Sequence, residues 1–121
     1  MEDISEIIEN LSQVREKNFV TSIDYTLTAL LNSKYYSKID RIIVYGSFAR
    51  GDYKADSDID LIVLTNERLQ PEDIRKIRSL IDEKTYLLPE VDLKFYQQHD
   101  KIDRIFSEEV KKDGVVLWKR K

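Results

Sequence analysis

An α/β fold, a small mixed sheet flanked by helices, is what this 121-residue sequence predicts. Three observations predict it. Two apolar runs rich in β-branched residues, Ile42-Ile43-Val44-Tyr45 and Ile59-Asp60-Leu61-Ile62-Val63-Leu64, flank a polar loop, the pattern of strands covered on both faces. Segments with apolar residues at helical spacing stand before and after them. Further on, Val91-Asp92-Leu93-Lys94-Phe95-Tyr96 alternates with period two, which marks a third strand.

The length suits a single domain over residues 1–121, with a helical segment over 1–38 and the sheet and its polar motif over 39–121. In the helical segment Ile4, Ile7, Ile8, Leu11 and Val14 share a face, and Ile23, Leu27, Leu30 and Leu31 resume the stripe after Phe19 and Val20. One long helix, or two with a break near Asn18, satisfies that spacing. Tyr35, Tyr36 and Ser37 make a polar connection into the first strand, expected over 41–46; the second is expected over 58–65. Pro71 then suits a helix's first position and Glu72 and Asp73 its first turn, with Ile74, Ile77, Leu80 and Ile81 as the buried face. Pro89 closes the connection to the third strand, 91–97, which places Val91, Leu93 and Phe95 on one face and Asp92, Lys94 and Tyr96 on the other. A last helix is expected from near Asp100, burying Ile102, Ile105, Phe106 and Val110 and stopping at Gly114. Val115 to Trp118 then form a final strand.

The chemistry gathers between Arg41 and Leu64. The first strand stops at Gly46, where the backbone can turn sharply and approach a ligand closely. Ser47 can cap a short helix over Phe48, Ala49 and Arg50, which Gly51 ends. The unpaired N–H groups of that helix start, with the Ser47 hydroxyl, suit a phosphate oxygen. Residues two apart on a strand share a face, so Asp58 and Asp60 project together from Cα atoms about 6.5 to 7 Å apart. Two carboxylates brought to about 4 Å repel by about 4 kcal/mol at an effective dielectric near 20. A divalent cation reverses the sign of that energy, and hard oxygen ligands favour Mg²⁺, which takes one or two carboxylates and fills its shell with waters and substrate phosphates.

Gly46-Ser47, ten residues, then Asp58-Ile59-Asp60 resembles the signature of the DNA polymerase beta-like nucleotidyltransferase superfamily, in its minimal nucleotidyltransferase (MNT) form. The first strand and the Phe48-Ala49-Arg50-Gly51 segment are similar to that family as well. The resemblance implies the nucleotidyltransferase fold and transfer of a nucleoside monophosphate, AMP from ATP, to a hydroxyl acceptor with two Mg²⁺ ions. It implies catalytic and metal-ligating roles for Asp58 and Asp60, and for Asp92 as the third carboxylate. Asp92 would serve as a metal ligand and as a base for the acceptor hydroxyl. Gly46 and Ser47 would hold the outer phosphates and Arg50 would stabilise their charge. Lys94 shares the face of Asp92 and is read as edge protection rather than a phosphate ligand. The usual partner in the resembled group is a helical HEPN-type toxin, whose tyrosine the MNT protein modifies as antitoxin. Self-association, transfer to a small hydroxylated molecule such as an antibiotic, and an idle nucleotide- or partner-binding module are the alternatives.

Other chemistries are poorly served. With 41% hydrophobic and 36% charged residues the chain reads as globular. No Cys and one His leave no zinc site or Cys-His pair, and His99 beside a helix start is read as surface. Neither a Gly-Lys-Ser/Thr nor a Gly-x-Gly-x-x-Gly motif occurs. The acidic start Met1-Glu2-Asp3 is no signal peptide, and no apolar run approaches the roughly 20 residues that span a bilayer. A cytoplasmic protein without membrane contact is therefore expected. The net charge of −3 argues against a broad nucleic-acid footprint, although Lys119, Arg120 and Lys121 form a local basic stretch.

Overall fold

The structure, a computed structural model, describes residues 4–97 and 104–121. β1 (Ile39–Tyr45), β2 (Ile59–Thr65), β3 (Val91–Gln97) and β4 (Val115–Lys119) form one sheet in the order β3-β2-β1-β4. β1 is antiparallel to β2 and β4, whereas β2 and β3 run parallel. The parallel pair needs a crossover, and α4 (Pro71–Lys84) supplies it with Pro71 at its start as expected.

The helical segment contains α1 (Ser5–Ser12) and α2 (Lys17–Leu31). The break lies at residues 13–16, ahead of Asn18, which sits inside α2. Because α1 ends at Ser12, Val14 falls off its stripe and is 66% exposed. Ile4, Ile7, Ile8 and Leu11 pack against the core from outside, while Phe19, Ile23, Leu27, Leu30 and Leu31 of α2 are buried in it. Tyr35 is less polar in context than its sequence suggests. Its ring is buried and its hydroxyl donates to Asp73 at 2.8 Å, pinning the connection into β1 onto α4.

The main core fills one face of the sheet and a smaller cluster forms on the other. Ile42, Val44, Leu61, Val63, Val91 and Leu93 face α2 and α4 in the main core. Ile43, Tyr45 and Ile62 form a second cluster, against which Val110 of α5 (Arg104–Asp113) packs. His99, Asp100 and Ile102 lie outside the described residues, as do the side chains of Ile105 and Phe106. Among the described residues no helix is long and apolar enough to cross a membrane.

Candidate active site

The end of β1 and the starts of β2 and β3 meet at one edge of the molecule. There Tyr45 pairs with Asp60, and Asp60 pairs with Asp92. Residues in register on adjacent strands project to the same face, so three strands set Tyr45, Asp60 and Asp92 in a row, with Lys94 two positions along. The row lies on the face of the Ile43-Tyr45-Ile62 cluster, away from α2 and α4.

Directly after Tyr45 the chain turns into α3 (Gly46–Arg50). Gly46 has φ +78°, a conformation L side chains rarely adopt, and a Cβ built on it would stand 2.6 Å from Oδ2 of Asp60. The Asp60 carboxylate is therefore seated against the Gly46 backbone in space that only glycine leaves open. Because Gly46 itself makes the turn, the cap position falls to Tyr45, and Ser47 lies inside the helix instead of capping it as expected. The Ser47 hydroxyl, half-buried beside Gly46, is not engaged as a cap. Gly51, at φ +92°, closes α3 as anticipated.

The three acidic residues are placed unequally. β2 starts at Ile59, so Asp58 stands one residue ahead of the ladder and is exposed. Among the described residues no three acidic or histidine side chains converge enough to hold one metal ion together. Asp60 and Asp92 form the aligned pair, and Asp58 joins Asp92 along a cavity of about 480 Å³ lined also by Arg78, Asp82 and Glu90. The aligned pair fits a hard divalent cation, since Mg²⁺ takes one or two protein carboxylates and draws its other ligands from water and phosphate.

Lys94, read from the sequence as edge protection, is part of this row. Its Nζ donates to the Tyr45 hydroxyl at 2.9 Å and stands 3.7 Å from Oδ2 of Asp92. The hydrogen bond to Tyr45 raises the Lys94 pKa despite partial burial, with Asp92 and Asp60 adding to the effect. Burial raises the Tyr45 pKa against the pull of that ammonium. At neutral pH the row thus holds a charged lysine and a neutral phenol beside Asp60 and Asp92. Arg50 donates from Nε to Asp52 at 3.2 Å and from Nη1 to Asp113 of α5 at 3.3 Å.

Residues 26–121 match the family described as Polymerase beta, Nucleotidyltransferase. This chain belongs to that family. Two Methanocaldococcus jannaschii proteins, MJ0604 and MJ0141, each named as a candidate protein adenylyltransferase, are 53% identical to this chain, over 34 and 30 residues. Those stretches cover 28% and 25% of this chain and 34% and 30% of the relatives, so the chain spans about a third of the length of the curated relatives it matches. Among solved structures, a chain of a toxin-antitoxin complex with AMP-PNP superposes with a TM-score of 0.58 at 21% identity, over 88% of this chain and 76% of that one. A chain of the complex between a tri-AMPylated Shewanella oneidensis HEPN toxin and its MNT antitoxin gives 0.55 at 19% identity, over 85% and 73%. At these identities the likeness establishes the shared fold.

Proposed function

We propose that this chain is a Mg²⁺-dependent nucleotidyltransferase that moves AMP from ATP to a protein hydroxyl, a tyrosine of a HEPN-type toxin, and so serves as the antitoxin in the cytoplasm. The observation that carries the reading is the carboxylate of Asp60 seated against Gly46 with Asp92 in register on the neighbouring strand. Asp58 and Asp60 would hold two Mg²⁺ ions, and Asp92 would help to place the one nearest the acceptor. When bound, the metal supplies Lewis-acid neutralisation of charge on the transferred phosphoryl group. The Gly46-Ser47 turn and the Ser47 hydroxyl bind the outer phosphates. Transfer is in line: the acceptor oxygen bonds to the α-phosphorus as the bond to the bridging oxygen breaks, pyrophosphate leaves, and the acceptor's proton passes to Asp92.

The site's position favours a macromolecular acceptor. β3 is an edge strand, and Asp92 and Lys94 side chains are 50% and 40% exposed, so a hydroxyl on the surface of another protein can reach them. The relatives named as candidate protein adenylyltransferases and the AMPylated toxin complex support the same acceptor class. The test is the intact mass of a HEPN-type toxin protein incubated with this chain, ATP and Mg²⁺. Its mass rises by whole AMP units if the reading holds. An unchanged mass, with a small hydroxylated acceptor consumed instead, overturns it.

Asp92 is expected to act on turnover more than on binding. Asp92→Asn should lower kcat by about 10²-fold or more, the scale of losing one group aimed at developing charge, with Mg²⁺-ATP affinity nearly unchanged. That split marks an interaction made mainly in the transition state. Equal losses in both quantities, read by steady-state kinetics and calorimetry, remove Asp92 from the catalytic set.

A further inference from the structure

α3 has only 5 residues, and a helix that short does not persist on its own in water. Its last turn is held from the connection between α1 and α2. Arg15 donates from Nε to the Phe48 carbonyl at 2.9 Å and from Nη2 to the Ala49 carbonyl at 2.9 Å. One guanidinium fork thus satisfies two carbonyls at a helix C-terminus, where a cation is also favoured by the helix dipole. The guanidinium carbon stands 5.6 Å from the Phe48 ring centroid, and Nη1 returns to the Val14 carbonyl at 3.0 Å, which stiffens the clamp. Beside it the Glu16 N–H donates to the Tyr53 hydroxyl at 2.9 Å, and the Tyr53 ring packs on Phe19 and Phe48. The connection therefore grips the chain on both sides of Gly51. Burial of α1 does not account for this grip, since no residue of α1 is buried. Arg15 also precedes residues 26–121, the part that matches the family.

We propose that Arg15 is a positioning residue for the active site: by fixing the C-terminal end of α3 it keeps Gly46, at the other end, against the Asp60 carboxylate. The proposal rests on the nucleotidyltransferase reading. Its test needs no acceptor. Arg15→Ala and Arg15→Lys are compared with Ile8→Ala, which trims α1 elsewhere and serves as the control for lost stability. Two quantities are read: amide hydrogen exchange at Gly51, whose N–H bonds to Ser47 and Phe48, in the ligand-free protein, and Mg²⁺-ATP affinity by calorimetry. Arg15→Ala should raise the exchange rate and weaken nucleotide binding by about 10-fold each, the scale of losing one hydrogen bond to a charged group. Arg15→Lys, which keeps the charge and reaches one carbonyl, should fall between Ala and wild type. Ile8→Ala should leave both readouts near wild type. Wild-type affinity in Arg15→Ala, or an equal loss in Ile8→Ala, overturns the proposal. A wild-type chain that binds no Mg²⁺-ATP overturns the functional reading instead and takes this proposal with it. Should Arg15→Ala fail to fold, Arg15→Lys with wild-type affinity and exchange is the overturning result.

Discussion

Asp60→Ala combined with Asp58→Ala is expected to abolish Mg²⁺-dependent nucleotide transfer while leaving the fold in place. Asp60 is the central member of the row, paired with Tyr45 on one side and Asp92 on the other, so its loss removes the carboxylate that both neighbours are aligned on. Losing one preorganised electrostatic group costs about 10²–10³ in turnover, and losing Asp58 with it takes the remainder below detection. Stability should hardly move: Asp60 stands beside Asp92 on the adjacent strand but also attracts the Lys94 ammonium, and the two effects of removing it offset. Unfolding curves and calorimetry on the double variant give the answer. Full Mg²⁺-ATP affinity with full turnover would place the metal and the chemistry elsewhere.

Gly46→Ala is expected to damage the site almost as much, by a different route. At φ +78° an L residue pays about 1–2 kcal/mol in left-handed strain. The added methyl also meets Oδ2 of Asp60 at 2.6 Å, so the carboxylate must shift. A misplacement of about 1 Å in a catalytic constellation can cost 10²-fold in rate. A variant of similar instability separates the two effects. Ile77→Val trims a buried side chain of α4 on the opposite side of the sheet, costs about 0.5–1.5 kcal/mol, and should retain its turnover. If Gly46→Ala and Ile77→Val lose activity equally, the seat under Asp60 has no catalytic consequence.

Much of this arrangement is legible before any coordinates. β-branched runs and period-two alternation predict the four strands, and Gly46, Gly51, Pro71 and Gly114 mark the turns and helix boundaries that follow. Local pattern is less reliable where packing competes with it. Residues 13–16 interrupt an apolar stripe that reads as nearly continuous, because α2 turns to bury Phe19 and Ile23. Ser47 is a good cap by type, yet the turn is completed one residue earlier by Gly46.

By itself the sequence determined the strands, the Gly-Ser turn and the acidic pair, because strand periodicity and glycine's conformational range act over a few neighbouring residues. Only the tertiary structure decided which carboxylates align. Asp60 meets Asp92 through the parallel register of β2 and β3, while Asp58 falls just outside the ladder. Lys94 and Arg15 became visible in the same way, through partners 49 and 33 residues distant at Tyr45 and Phe48. Such contacts are set by how separate elements pack around a shared core, and no local pattern in either segment encodes them.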